Sequence, residues 1–276
     1  MQPINVMVNG IPGKVSTLVA GHIHRDDRFT LLPCSLTGPE ISESEYSVAD
    51  ISVRLVTPSG RAAAIADIKA SCPDMICVDF THPGAVNANA GFYCRHGLPF
   101  VMGTTGGDRE LLEKTVTASS IAAVVAPNMA KQIVGFQAMM AYAADTFPDL
   151  FKGYKLEIVE SHQQGKADTS GTAKAMVRYF NRLGLDFAEK DIRQERDPER
   201  QSTRWGIPRQ YLDGHGWHTY TLTSADATVR FEFTHNVNGR EVYARGTIDA
   251  LIYLNRKLNQ GASGQVFTMI DVLKSK

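Results

Sequence analysis

The stretch Ile4–Ser16, "INVMVNGIPGKVS", decides the fold class. Its first half, "INVMV" (Ile4–Val8), is a short β-branched run that reads as a strand. Glycines follow at 10 and 13, and a helix is expected from Gly13. Strand, glycine turn and helix in this order open a dinucleotide-binding unit. Backbone without Cβ can approach a pyrophosphate, and the N–H groups and dipole of the helix start favour the anion. The complete fingerprint is G-x-G-x-x-G; here Asn9 and Ser16 hold the outer positions. A tight turn without ligand has the same glycines, so the neighbouring sequence has to decide.

Working outward, the first half keeps alternating. "FTLLP" reads as a second strand. Ser59–Ser71 reads as a helix with Ala62, Ile65, Ala66 and Ile68 on one side, stopped by Pro73. Then come a strand "MICVDF" (Met75–Phe80), a helix Ala85–Arg95, a strand "PFVMG", a helix Arg109–Ala118 and a strand "IAAVVA". Continuous apolar strands alternating with helices predict a parallel sheet covered on both faces. After Pro127 the pattern changes. A long helix over about 130–147, a strand Lys155–Glu160 and a helix carrying Ala173, Met176, Val177, Phe180 and Leu183 on one face are followed by a charged, irregular stretch at 186–213. "HTYTLTS" and "TVRFEFTH" alternate as antiparallel strands, Gly246–Asn255 reads as a helix, and "VFTMIDVL" as a short closing element. The expected fold is α/β: a Rossmann-like doubly wound parallel sheet plus a second α+β domain. The expected division is 1–127, completed by 246–276, as the dinucleotide-binding domain, and 128–245 as the substrate-binding and oligomerisation domain.

Composition fits a globular chain. Of 276 residues, 43% are hydrophobic and 21% charged, and the formal net charge is zero. That balance gives no basic excess for nucleic acid or a membrane surface, and no apolar run is long enough to span a bilayer. The opening "MQPINVMVNG" lacks the pattern of a signal peptide. Cys34, Cys72, Cys77 and Cys94 form no CxxC pair and read as free thiols in a reducing compartment. No metal site is read from the sequence.

Three further strand ends point at one crevice. "GTTGGD" (Gly103–Asp108), "DFTHP" (Asp79–Pro83) and "APNMAK" (Ala126–Lys131) place small or polar residues where open α/β sheets bind ligands. His82 reads as a loop residue lining that crevice. Asn128 would bind a carboxamide or simply cap the long helix. After the second strand, "LPCSLTG" holds no carboxylate at the usual ribose position, and Glu40 falls too late. Ser35 and Thr37, with Lys14 or Arg25 nearby, would instead face a 2′-phosphate, which favours NADPH over NADH.

"VESHQQGKADTSGTAKAMV" (Val159–Val177) supplies the chemistry. His162 can donate or relay a proton near neutral pH. Lys166 adds a cation, and a helix start at Ser170–Gly171 offers N–H groups to a carboxylate. The stretch suits an anionic substrate that is protonated as it reacts. The plain alternative is a capped helix beside a solvated lysine and a surface histidine.

At these residues the chain resembles dihydrodipicolinate reductase, in its plant-type branch. The resemblance rests on "VNGIPGK", "VDFTHP", "GLPFVMGTTGGD", "APNMAKQIVGFQ", "EIVESHQQGKADTSGTAKA", "FEFTHNVNGREVYARGTIDA" and "DVL", and spans essentially the whole chain. It implies reduction of a cyclic unsaturated dicarboxylate to tetrahydrodipicolinate, in lysine and diaminopimelate biosynthesis, with hydride from NADPH or NADH. It implies His162 as proton donor and Lys166 as substrate ligand. Ser170, Gly171 and Thr172 would grip a carboxylate, with Asn128 also at the substrate. The cofactor residues it implies are Asn9, Gly10, Pro12, Gly13, Lys14 and Val15 in the first loop, and Ser35 after the second strand. Phe80, Thr81, Gly103, Thr104 and Thr105 would follow at the nicotinamide side, with Pro127, Asn128 and Met129 joining the domains. The two domains would close over the bound pair and exclude water.

The chain departs from the common bacterial pattern at several places, the absent acidic ribose-binding residue after the second strand among them. Gln163 replaces a second histidine, the loop before Ser170 is one residue shorter and lacks proline, Ser16 replaces a glycine, and Val15 a methionine. The resemblance further implies a homo-oligomer, dimer or tetramer, in the cytoplasm or a plastid stroma. A catalytically silent dinucleotide sensor is the alternative from another class; intact His162 and Lys166 argue against it. A dehydrogenase of an aspartate-derived aldehyde or imine would need a different substrate loop.

Overall fold

The computed structural model describes residues 2–275. The chain forms two compact units: one runs to Lys131 and resumes at Glu241, and the other is Gln132–Arg240.

In the first unit the chain runs β1 (Ile4–Asn9), α1 (Lys14–His24), β2 (Phe29–Leu31), β3 (Cys34–Leu36), β4 (Glu45–Val48), β5 (Ile51–Val56) and α2 (Arg61–Ser71). It continues through β6 (Ile76–Asp79), α3 (Val86–Arg95), β7 (Phe100–Met102), α4 (Arg109–Thr117) and β8 (Ala122–Val125). Six parallel strands form one sheet in the order β13-β8-β7-β6-β1-β2, where β13 (Gln265–Phe267) comes from the closing segment. Met7, Val8, Ile76, Val78, Phe100, Val101, Ala123 and Val124 are fully buried. Burial on both faces is why these strands read as unbroken apolar runs. The strand order reverses between β1 and β6, and that switch point is where a sheet of this type opens a crevice.

Two expectations change in detail. "FTLLP" is not one strand: after Leu31 the chain turns at Pro33, and Cys34–Leu36 joins a separate three-stranded sheet of order β3-β5-β4. On α2, Ala64 and Ile65 are buried and Ile68 packs partly on the core, while Ala62 and Ala66 are exposed. The inward face runs through 61, 64, 65 and 68; alanines on both sides of it blur the periodic signal.

In the second unit, α5 (Lys131–Thr146) leads to β9 (Lys155–His162) and α6 (Gly171–Arg182). The stretch read as irregular holds β10 (Arg193–Glu195) and α7 (Pro198–Thr203); β11 (His215–Thr223) and β12 (Arg230–Asn238) follow. The sheet order is β10-β9-β11-β12, with β11 antiparallel to both neighbours and β10 parallel to β9. Leu156 and Ile158 of β9, Tyr220 and Leu222 of β11, and Met176, Val177 and Phe180 of α6 make the core. Burying side chains of this size contributes roughly 1.5–3 kcal/mol each. α6 ends where periodicity predicts, with Gly184 at φ +96° after the Leu183 cap.

α8 (Glu241–Asn259) starts five residues before the expected Gly246. That position inside the helix is held by glycine because a Cβ there would fall 1.8 Å from the Met129 carbonyl oxygen. α9 (Met269–Lys274) is opened by a Thr268–Asp271 capping box. The four cysteines are free. Among the described residues no helix is long and apolar enough to cross a membrane.

Candidate active site

On β9, Leu156 and Ile158 point inward, and Glu160 takes the next inward position with no solvent exposure. A carboxylate so placed has to be paired or hydrogen-bonded. Arg196, just beyond β10, donates from Nη2 to Glu160 Oε1 at 2.6 Å, and the Ser170 N–H donates to Oε2 at 3.0 Å. The Arg196 Nε–H also donates to the Lys166 carbonyl at 2.9 Å. One guanidinium thus ties the 163–170 loop to the strand.

His162 is the last residue of β9 rather than a loop residue. Its carbonyl accepts from Gln201 Nε2 at 2.7 Å, which fixes the strand end. Its Nδ1 is buried without a partner and stands 3.8 Å from Glu160 Oε1. Its Nε2 lies beside Gly216, where an added Cβ would come within 3.3 Å. Burial, reinforced by the positive charges of Arg196 and Lys166, drives the His162 pKa down to about 3. The free ring is therefore a neutral imidazole at physiological pH. Lys166 Nζ pairs with Asp168 Oδ1 at 2.6 Å, and this contact holds the Asp168 carboxyl below its usual range.

Behind His162 stand two more histidines. His218 is in register with Glu160 across β9 and β11, its Nε2 3.7 Å from Oε2, and the His162 ring meets it edge-on at 5.1 Å. His235 of β12 stacks on His218 at 4.7 Å and lies 3.2 Å from the Tyr220 hydroxyl. Burial lowers the pKa of both. His215 has both ring nitrogens engaged. Its Nδ1 faces the carbonyls of Tyr211 and Leu212 and so carries the proton, and its Nε2 accepts from Ser161 at 2.9 Å.

At the start of α6, Ser170 is the N-cap and its Oγ accepts from the Thr172 N–H at 3.2 Å. Gly171 is exposed, with nothing within 4 Å of where a Cβ would stand. The helix start is therefore open to an anion.

The first unit has its own site at the switch point. Gly10 has φ +98°, and a Cβ there would lie 2.3 Å from the Phe80 carbonyl oxygen. No other residue fits that approach. Ser16, standing where a glycine is usual, is buried and its hydroxyl reaches the carbonyls of Gly10 at 2.7 Å and Gly13 at 2.9 Å. It braces the loop from within. Gly13 caps α1 without a side-chain acceptor, so the helix start stays available. Lys14 is exposed beside it and Val15 half-buried. These features form a cradle that fits a pyrophosphate.

Under the crevice, Asp79 is fully buried. It accepts from Thr104 Oγ1 at 2.5 Å, Thr81 Oγ1 at 2.9 Å, Tyr93 Oη at 2.7 Å and Asn89 Nδ2 at 3.0 Å. Asn9 joins this network: it donates to Tyr93 Oη at 3.0 Å and accepts from the Leu36 N–H at 2.9 Å. The Phe80 ring packs on Gly103, where a Cβ would fall 2.1 Å from it, and Thr105 is exposed. Asn9, Thr81 and Thr104 thus set the shape of the crevice with side chains turned inward.

Elsewhere the side chains differ from expectation. Ser35 does not face outward; its buried hydroxyl accepts from the Ile11 N–H at 3.2 Å. Thr37 is buried too, and Arg25 caps the far end of α1, about 18 Å along the helix from Gly13. Glu40, set aside by its spacing, folds its carboxylate back over Gly38. Arg61 donates to the Thr37 carbonyl at 2.7 Å. Asn128 caps the segment before α5 by accepting from the Ala130 N–H at 2.9 Å, with Pro127 exposed and Met129 buried beside it.

Comparison with known proteins identifies the family. The family description "Dihydrodipicolinate reductase, N-terminus" matches residues 4–129, and "Dihydrodipicolinate reductase, C-terminus" matches residues 132–273. The chain belongs to the dihydrodipicolinate reductase family. It is 46% identical over 98% of its length to a probable chloroplastic 4-hydroxy-tetrahydrodipicolinate reductase of Oryza sativa, covering 78% of that protein. It is 43% identical over 98% of its length to a chloroplastic 4-hydroxy-tetrahydrodipicolinate reductase of Arabidopsis thaliana, covering 77% of that protein. Among solved structures, a dipicolinate-bound dihydrodipicolinate reductase from Paenisporosarcina shares the fold with a TM-score of 0.65, at 17% identity, over 96% of this chain and 97% of that one.

In this reductase fold, sequence reading missed Glu160, Arg196, Gln201, His218 and His235. Two of them left a trace. Glu160 and His218 interrupt the inward apolar alternations Leu156–Ile158 and Tyr220–Leu222, and a polar residue on an inward face marks a buried network. Arg196 left none: it sits in a charged stretch like any solvated arginine.

Proposed function

We propose that this chain reduces 4-hydroxy-tetrahydrodipicolinate, or its dehydrated form dihydrodipicolinate, to tetrahydrodipicolinate in lysine and diaminopimelate biosynthesis. The observation that carries the site assignment is the placement of His162, Lys166 and the open Ser170–Gly171 helix start around one buried Glu160–Arg196 pair. When bound, NAD(P)H supplies the hydride. The residues of the first unit hold it: the Gly10–Val15 loop and the α1 start take the pyrophosphate, and the Asp79 network fixes the Phe80–Thr81 and Gly103–Thr105 turns.

Lys166 and the N–H of Gly171 bind a substrate carboxylate, and the Thr172 N–H, held by the Ser170 hydroxyl, joins them when that cap turns to the substrate. Hydride addition to the conjugated imine places negative charge on the substrate ring, and a proton must follow. His162 is neutral in the free protein, because burial and two neighbouring cations oppose a third positive charge. A dianionic substrate cancels that field, so its binding raises the His162 pKa and brings a proton to the ring. The imidazolium then gives this proton to the reduced substrate. Calorimetric titration with pyridine-2,6-dicarboxylate in buffers of different ionisation enthalpy tests this step. Uptake of a proton that disappears in His162→Ala is expected; binding without proton uptake would overturn the step.

Both nucleotides are substrates in this reading. Glu40 over Gly38 is an acceptor for ribose hydroxyls, and Arg61 at the Thr37 carbonyl is a cation for a 2′-phosphate. Assays with NADPH and with NADH, on enzymatically generated substrate, check this; a preference beyond about 100-fold, roughly 2.7 kcal/mol, would refute it.

The protein works as a homo-oligomer. β12 is an edge strand carrying the partly exposed Phe231, and unpaired edges of this kind accept a second chain. Its compartment follows its relatives', a plastid stroma, or the cytoplasm in an organism without plastids.

A further inference from the structure

Glu160, His162 and His218 each offer one ligand atom, and these atoms lie within 4.8 Å of one another. The pairs next to Glu160 measure 3.8 Å from His162 Nδ1 to Oε1 and 3.7 Å from His218 Nε2 to Oε2. Both are too long for hydrogen bonds. His218 is only 4% exposed, yet neither of its ring nitrogens has a partner, and the buried Nδ1 of His162 has none either. Nitrogens buried this way have lost their water without gaining a partner, and an ion between them would restore one.

We propose that Glu160, His162 and His218 form a three-ligand site for a borderline divalent cation, zinc in the first place. Two imidazoles and a carboxylate suit zinc, cobalt or nickel rather than magnesium or calcium, which take oxygen ligands. Ligands about 2.0–2.1 Å from a tetrahedral zinc stand roughly 3.3–3.4 Å apart, so a bound ion draws together ligand atoms that now lie within 4.8 Å of one another, with one Glu160 oxygen serving both histidines. Three protein ligands leave the fourth position to water or a substrate carboxylate. Arg196, held 2.6 Å from Glu160 Oε1, and Lys166 in the adjoining loop oppose a dication and keep it exchangeable.

The functional consequence, unlike the site itself, rests on the proposed role of His162. A ring that carries metal on Nδ1 cannot also become an imidazolium. Loading would therefore suppress proton delivery and make the trio an inhibitory zinc site.

Zinc sulfate titrated calorimetrically into the full-length, chelator-treated protein tests the site. One ion per chain is expected, with affinity at least 10-fold lower in His218→Gln, and an anomalous-scattering map of wild-type crystals soaked in zinc should place the ion between the three residues. That map holds even if the variant misfolds. No binding, or an ion elsewhere, overturns the site. Turnover measured with and without zinc tests the consequence. Inhibition reversed by EDTA supports it; zinc bound at the trio with undiminished turnover overturns the inhibitory role and the proton-donor reading while leaving the site standing.

Discussion

Glu160 and Arg196 form a buried ion pair: the carboxylate has no solvent exposure, and the guanidinium donates to its Oε1 at 2.6 Å. The pair is also the brace of the loop that carries Lys166. Removing one partner leaves an unpaired charge in the interior, which costs about 3–5 kcal/mol. Arg196→Ala is therefore expected to lower the denaturation midpoint by a corresponding amount. Replacing both members by Gln and Met should recover much of that stability but not the activity, because the loop loses its tie. Urea titrations of the single and double variants check this.

His162→Ala and Lys166→Ala are expected to fold and to bind the dinucleotide, and to lose turnover by at least about 10²-fold, the scale of losing an acid–base or positioning group. The lysine variant should also raise the substrate KM. Near-normal turnover in both variants would refute the site assignment. An unchanged KM in Lys166→Ala would count against its contact with a carboxylate.

Gly10 and Ser16 make opposite predictions about the first loop. Gly10→Ala puts a methyl 2.3 Å from the Phe80 carbonyl oxygen at φ +98° and should abolish dinucleotide binding. Ser16→Ala removes the hydroxyl that bonds Gly10 and Gly13 but no bulk. A looser loop should raise the dinucleotide Kd several-fold, about 1 kcal/mol for one such bond, with little change in substrate affinity. Fluorescence titration of the reduced dinucleotide measures both.

Stability should fall on the acid side. His162, at about 3, and His235, at about 4, have pKa values below the ordinary 6.5, and those of His215 and His218 are lowered too. The unfolded chain therefore binds more protons than the folded one below pH 6.5. Stability contributed by the neutral His162 and His235 rings is complete above that value and is lost as pH falls towards 3–4, by up to about 1.4 kcal/mol per pH unit for each of these two, and His215 and His218 act in the same direction. Thermal melts between pH 7 and pH 4 check this. A flat melting temperature across the window would contradict the buried, neutral state of these rings.

The sequence by itself determined the alternation of buried strands and helices, the glycine turn at the first strand–helix junction, and the segment holding His162, Lys166 and Ser170. These are local: periodicity, capping and backbone freedom are written within a few residues of where they act. Only the tertiary structure decided what surrounds His162. Arg196 is 36 residues from Glu160 along the chain and His218 is on another strand, and they meet because β9 pairs with β10 on one side and β11 on the other. Strand register is a pairing between distant segments. It sets the burial and the field that keep the histidine neutral, and no local pattern encodes either.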